Sequence, residues 1–360
     1  MIQSLQLKNF RNFEDAKISF DSRSVIFCGT NGAGKTSLLE SLFYIANLRS
    51  FRTNRIQEMK RLGTDGFQIS VAACNKNNLT SHFEVTIGSD DRSLKIDGNV
   101  ICKASDFTGR YNTISFLPDD PEIITGPSSV RRRFLDMFIS MTDREYFVEL
   151  QQYMAALRIR NALLRKENAD PDILQAYHPV LAQHGAQILK KRFLYIRILT
   201  DFMYQILQEI RPELTPFEIK LKCSRELEDP VLFSNKLSAN VMKDQEKRYT
   251  TIGPHLDDFD FLCNNRSLRI YGSRGQCRIA SFALKLAEFE ILNSCSSDPD
   301  RNIVIVDDAT GDLDERARNR FYEKIQDAGQ TFYAFTDVEK CAAIKDYQIV
   351  HVSAGKAVCC

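Results

Sequence analysis

No apolar run in this 360-residue chain approaches the length needed to cross a bilayer, so the sequence predicts no membrane span and no membrane partner. The N-terminus, M-I-Q-S-L-Q-L-K-N-F-R, alternates like a strand and lacks a long apolar core, which argues against a secretory leader and for a cytoplasmic protein. Excess charge is missing as well. Forty-eight Lys and Arg face forty-seven Asp and Glu, leaving +1, so any affinity for nucleic acid has to come from a local patch. The ten cysteines include no C-x-x-C pair and are scattered through a long chain, which favours reduced thiols over a disulfide framework. No ligand set has zinc spacing, and the adjacent Cys359 and Cys360 read as an exposed tail. Internal repeats and low-complexity tracts are absent. What remains is ordinary globular usage, 43% hydrophobic and 26% charged, with enough length for two lobes.

Periodicity divides the chain. Residues 1 to about 110 read as strands around one helix: Q-S-L-Q-L, A-K-I-S-F and H-F-E-V-T-I alternate, and S-V-I-F-C is a buried-type run. From about 130 to 211 the spacing turns helical, divided by the N-A-D-P-D turn at 168–172 and interrupted again near Pro179. After Pro216 strands return, followed by a helix at Ile279 to Leu292, the buried strand I-V-I-V and a final helix and strand pair. The pattern predicts an α/β domain split by a helical insertion. Its expected bounds are 1–115 for the first part of the α/β lobe, 116–247 for the helical lobe, and 248–360 for the second part.

The chemistry starts at G-T-N-G-A-G-K-T, Gly29 to Thr36, which follows the apolar strand Val25 to Cys28 and opens the predicted helix Ser37 to Ala46. Glycines there let successive N–H groups turn inward, and the helix N-terminus favours an anion. Asn31, Gly32, Ala33, Gly34, Lys35, Thr36 and Ser37 form the expected cradle, with Lys35 reaching the outer phosphates and Thr36 on Mg²⁺. Far downstream, N-I-V-I-V-D-D, Asn302 to Asp308, reads as a buried parallel strand ending in two carboxylates. Ligands of open α/β sheets bind beyond the carboxyl ends of strands, which brings Asp307 to the Mg²⁺ and Asp308 to the attacking water. The signal so far is a phosphate-loop NTPase that binds a nucleotide with Mg²⁺, with Lys35, Asp307 and Asp308 as catalytic groups; which nucleotide these two motifs do not say.

A second anion-seeking turn is Y-G-S-R-G-Q-C-R, Tyr271 to Arg278, running straight into a helix. No other loop announces a second nucleotide, so the simplest use of Ser273 and Gly275 is on a γ-phosphate bound by another copy of the chain. At this point the sequence resembles the ABC-type ATPases of the SMC group, and more specifically the RecF family of bacterial recombination mediators. The resemblance is carried by K-N-F-R-N-F (Lys8 to Phe13), the phosphate loop with L-L-E-S-L after it, L-R-S-F-R (Leu48 to Arg52) and F-L-P-D-D (Phe116 to Asp120). It continues through S-V-R-R-R-F-L-D (Ser129 to Asp136), G-P-H-L-D-D-F (Gly253 to Phe259), S-R-G-Q and V-D-D-A-T-G-D-L-D (Val306 to Asp314).

That resemblance implies an ABC/SMC-type P-loop ATPase head with a mixed sheet, interrupted by a mainly helical second lobe and lacking the long coiled coil. The insertion of roughly 80 residues would extend at most about 60 Å as a hairpin, which agrees. It further implies ATP-dependent homodimerisation on gapped or junction DNA, work with RecR and RecO to load RecA on single strands, and slow, DNA-stimulated hydrolysis for release. Carried over by position, Ser273, Gly275 and Gln276 complete the partner's site, and Arg11 and Asn12 form an N-terminal turn that approaches the nucleotide. Two departures stand out. Gly311 and Asp312 replace the family's usual serine and glutamate, and Thr336 and Asp337 stand where transporters place a switch histidine.

For DNA, the basic stretch Arg49, Arg52 and Arg55, with Lys60 and Arg61 beyond it, and the clusters Arg131, Arg132, Arg133 and Lys190 to Arg192 are candidates through phosphate neutralisation. Each is equally readable as a solvated helix face. His255, in a Gly-Pro turn before an alternating strand, is expected to be structural or to contact the other lobe. Two other functions stay open: a transporter-type ATPase subunit, suggested by the signature turn alone, and a non-hydrolysing nucleotide-gated scaffold, suggested by Gly311 and Asp312.

Overall fold

The computed structural model describes residues 1–89, 91–166, 170–296, 298–309, 313–337 and 344–359. Its chain forms two compact units, Met1–Asp119 with Leu292–Cys360, and Asp120–Ile291.

The first unit holds two sheets whose burial follows from the sequence pattern. β1 (Ile2–Phe10), β2 (Phe13–Ser19), β4 (Phe67–Cys74), β5 (Thr80–Ile87), β6 (Arg92–Ile96) and β7 (Asn99–Val100) make an antiparallel sheet in the order β2-β1-β4-β5-β6-β7. Along β4 buried and half-buried residues alternate, as one covered face requires. The other sheet, β15-β14-β3-β13-β12-β8, joins β3 (Ser24–Cys28), β8 (Asn112–Phe116), β12 (Asn302–Asp307), β13 (Gln330–Phe335), β14 (Tyr347–Ser353) and β15 (Lys356–Cys359). All its pairs are parallel except β14 with β15. Every residue of β12 and β13 is buried, the signature of strands covered on both faces. The side chain of Gln330 ties the two sheets together. It accepts from Ile2 N at 2.7 Å and donates to Ile2 O at 3.0 Å, satisfying buried backbone groups at the start of β1.

The second unit is mainly helical, with long helices at Ser128–Thr142, Arg144–Leu164 and His178–Ile210. Pro179 does not interrupt the last of these. It sits in the first turn, where its missing N–H costs nothing, and the helix runs on for 33 residues. Two shorter helices, Pro230–Ala239 and Val241–Lys247, follow. β9 (Phe217–Lys222), β10 (Asp258–Cys263) and β11 (Arg266–Ser267) form a small antiparallel sheet, order β11-β10-β9. Because β10 pairs with β9 along its whole length, the dense contacts of 258–263 lie in this unit. The unit runs from Asp120 to Ile291, and the expected bounds of the helical lobe, 116–247, fall almost wholly within it. Among the described residues no helix is long and apolar enough to cross a membrane.

Candidate functional site

The phosphate-loop helix begins two residues earlier than its apolar periodicity suggests, at Lys35, and runs to Asn47. Gly34 precedes it at φ +121°, and no side chain caps the helix, so its first N–H groups remain for an anion. A Cβ at Gly34 would lie 2.5 Å from Asn12 Nδ2, so this position needs glycine for space as well as for angle. Asn12 Nδ2 donates to Ala33 O at 2.9 Å and pins the loop to the first strand turn. Lys35 is only 8% exposed, and its ammonium donates to Gly29 O (2.7 Å) and Thr30 O (2.9 Å). It is folded into the loop and surrounded by carbonyls it can give up to phosphate oxygens.

β13 lies between β3 and β12 and fixes both motifs at one edge. Its Phe335 O accepts from Gly29 N at 3.4 Å, and its Ala334 O accepts from Asp308 N at 3.2 Å. Thr36 Oγ1 thereby meets Asp307 Oδ1 at 3.2 Å, across 271 residues of chain. Burial pushes the Asp307 carboxyl above the ordinary carboxylate range; the Thr36 hydrogen bond opposes this, the neighbouring Asp308 adds to it, and Arg52 and Lys35 oppose it further. A buried carboxylate with that cost and a hydroxyl beside it is an all-oxygen donor set that fits Mg²⁺. Asp308 leaves the strand in the left-handed region, φ +47°, and is exposed. The turn that contains Gly311 and Asp312 lies outside the described residues.

Behind Thr36, one helical turn along and on the same face, stands Glu40, fully buried. Arg11 Nε and Nη2 grip it at 2.8 and 2.6 Å, Ser50 Oγ donates to Oε1, and Arg52 Nη1 reaches Oε2 at 3.5 Å. The remaining Arg11 nitrogen donates to Glu58 O. Arg11, expected to approach the nucleotide, is thus turned onto Glu40. Sequence reasoning missed Glu40, although the one carboxylate in the apolar stretch L-L-E-S-L, four residues after the metal-type threonine, was a usable signal.

Ser273, Gly275 and Gln276 lie on the second unit, exposed. Ser273 N donates to Gln276 Oε1 at 2.8 Å and Gln276 N to Ser273 Oγ at 3.2 Å, a reciprocal cap that fixes the start of the helix Arg274–Cys295. The same unit holds Arg131, whose DNA role is corrected. It is 1% exposed, pairs with Asp258 at 2.6 Å and donates to Gly126 O at 2.6 Å, leaving no face for a phosphate. Arg192 is likewise buried, and Arg132 donates to Asp257 O at 2.7 Å. Arg133 is partly exposed, whereas Arg49 and Arg55 are exposed.

His255 is a satisfied core histidine. Since Thr250 O can only accept, His255 Nε2 donates to it (2.9 Å), and Nδ1 then accepts from the Tyr153 hydroxyl (2.7 Å). Burial, opposed by the Thr250 hydrogen bond and reinforced by Arg132 and Arg192, lowers its pKa to about 4. Burial and the Arg160 charge do the same to His178, also to about 4. Both are neutral when folded, but the unfolded chain takes up their protons near pH 6.5. Stability is therefore full above pH 6.5 and falls as the pH drops towards 4, by about 3 kcal/mol per histidine at the end of that window. Denaturant midpoints measured from pH 7.5 to 5, above most carboxylate titration, should decline; a profile flat over that range would rule the effect out.

Residues 1–337 match the RecF/RecN/SMC N terminal domain family. The chain belongs to that family. Within it, the DNA replication and repair protein RecF of Bacillus cereus is 32% identical over 371 aligned residues, covering 99% of this chain and 98% of that protein. The RecF of Bacillus anthracis matches equally, at 32% over the same shares. A solved structure of the recombination mediator protein RecF with ATP, in the RecFOR pathway, superposes with a TM-score of 0.90 at 28% identity, covering 100% of this chain and 97% of that one. The Smc head domain of Pyrococcus furiosus shares the fold alone, at a TM-score of 0.57 and 14% identity. The mixed α/β ATPase head expected from the sequence is the fold found.

Proposed function

We propose that this chain binds ATP with Mg²⁺ at Lys35, Thr36 and Asp307, dimerises on gapped or single-strand/double-strand junction DNA, and helps load RecA there. RecR- and RecO-type mediators are the partners of that step, and slow, DNA-stimulated hydrolysis at Asp308 ends it. The observation that carries the reading is the meeting of Thr36 and Asp307 at 3.2 Å behind a folded phosphate loop, in a chain aligned with RecF proteins over 99% of its length. Bound Mg²⁺ would neutralise charge developing on the transferred phosphoryl group. The chain's own residues do the rest. The loop N–H groups and Lys35 hold the phosphates, Thr36 and Asp307 orient the metal, and Asp308 takes the proton of the attacking water.

The exposed cap at Ser273 supports a site shared between two copies, because its hydroxyl and the open backbone at Gly275 are offered outward. Converting a 1:99 bias against the dimer to 99:1 takes about 5.5 kcal/mol of differential ATP interaction, which charge-assisted bonds at two sites can supply. Light scattering with and without ATP tests this. Wild type should double in mass with ATP and tighten on gapped DNA, whereas Ser273→Arg should bind ATP as before and stay monomeric. A Ser273→Arg chain that still dimerises with ATP would refute the shared site.

A further inference from the structure

A pocket of about 230 Å³ opens in the first unit, at the opposite end of the parallel sheet from the phosphate loop. Arg110 and Tyr111 stand just before β8 and Arg301 just before β12, whereas Asp307 closes β12 at its carboxyl end. Six residues of strand, at about 3.3 Å each, put about 20 Å between Arg301 and Asp307. Ligands of open α/β sheets bind beyond the carboxyl ends of the strands, so the nucleotide site does not account for a pocket here.

Its walls follow from register. Asn302 pairs with Asn112, which sets Arg301 beside Tyr111 on the neighbouring strand. Arg301 Nε donates to Arg110 O at 2.8 Å, so the two arginines share one anchored corner of the pocket. Tyr111 packs edge-on against Phe83 with ring centroids 5.7 Å apart, and Leu79 lines the same pocket while 64% exposed.

Charge then selects the ligand. Lys76, Arg110 and Arg301 face Asp298 and Asp300, and both carboxylates are already engaged. Lys76 Nζ lies 2.9 Å from Asp298 Oδ1, and Arg23, from outside the pocket, lies 3.2 Å from Asp300 Oδ1. Among the described residues no carboxylate pairs with Arg110 or Arg301, and the hydroxyls of Ser81 and Tyr111 have no hydrogen-bond partner. Burial pushes the Tyr111 phenol up, with Arg301 and Arg110 opposing the shift, so it is a donor at neutral pH. Two guanidinium groups and two hydroxyls offer more donors than the two oxygens of a carboxylate use, and suit a tetrahedral dianion. The volume sets the size. It lies below the roughly 300 Å³ at which drug-sized sites begin, enough for a phosphate group and a few carbon atoms but not for a nucleotide.

We propose that this pocket is a second anion site, taking a small phosphate dianion, free or as the monoester of a small alcohol, on Arg110, Arg301 and the Tyr111 hydroxyl. It is independent of ATP at Lys35 and of the shared site at Ser273.

The test uses the full chain carrying Lys35→Ala, which removes the phosphate loop as a competing site. Inorganic phosphate and glycerol phosphate are titrated by calorimetry and phosphorus NMR. One or both should bind, and more weakly as salt is raised. Arg110→Ala and Arg301→Ala should each weaken binding about 10-fold, the lower worth of a hydrogen bond between charged groups, and Arg301→Lys should recover part of that. Both arginines are exposed, so the variants should melt close to the parent chain and the loss cannot be one of folding. Sulfate, another tetrahedral dianion, should compete, and acetate should not. Failure of both probes to bind, or unchanged affinity in both alanine variants, overturns the proposal. Acetate competing as well as sulfate would assign the pocket to a carboxylate and refute the phosphate class. A plain duplex supplies the last arm. The slope of log duplex affinity against log salt should be unaltered by Arg110→Ala; a slope shallower by about one would make the pocket part of a DNA surface instead.

Discussion

Asp308→Asn is expected to slow Mg²⁺-dependent phosphate release by about 10²- to 10⁴-fold, the usual worth of a positioned general base, while ATP binding and ATP-dependent dimerisation persist. The substitution suits the question because asparagine shares with aspartate the tolerance for the left-handed backbone that residue 308 adopts at φ +47°. The backbone bond from residue 308 N to Ala334 O is kept as well. What disappears is the charge. Its loss also relieves Asp307, whose carboxyl Asp308 helps to push up, so the metal-type pair with Thr36 should if anything be easier to ionise. The expected variant therefore closes and stays closed, with raised dimer mass on ATP and little phosphate released. Lys35→Ala provides the contrast, losing binding itself. Phosphate release at the wild-type rate from Asp308→Asn would mean that the water is activated elsewhere; loss of ATP binding would mean that Asp308 belongs to the binding site.

How much of this was legible in the sequence depended on the range of the interaction. β3, β12 and the phosphate-loop helix were readable because each is announced by its own residues: an apolar run, a glycine-rich turn, two terminal carboxylates. The turn at Ser273 was legible as the start of a helix and pointed to an anion site, whereas the reciprocal Ser273–Gln276 cap came only with the structure. The fate of the charged residues was not. Arg131 pairs with Asp258 across 127 positions and Arg192 with Asp257 across 65, and no local pattern distinguishes such an arginine from one on a solvated face. Pro179 misled for a related reason. Proline breaks a helix interior but starts a helix well, and only the structure shows which side of the boundary it occupies. β10 finds its partner in β9 within the second unit, a pairing that periodicity cannot register.

Arg192→Met should destabilise the second unit by about 3–5 kcal/mol, the cost of stranding the buried Asp257 carboxylate. Arg192 Nη1 holds Asp257 at 2.7 Å and Pro254 O at 2.6 Å, Nη2 holds Asp136 at 2.7 Å, and Nε donates to the Tyr146 hydroxyl at 3.1 Å. One guanidinium thus ties the R-R-R-F-L-D helix to the G-P-H-L-D-D turn, two of the motifs that carry the resemblance to RecF. Even with Arg192 in place, burial keeps the Asp257 carboxyl above its ordinary range, so the free carboxylate is the expensive species. The destabilisation should accordingly shrink when Asp257 is neutralised as well. In a denaturant series on the full chain, Asp257→Asn added to Arg192→Met should cost less than the two single effects summed. Additive effects would show that the pair is not coupled.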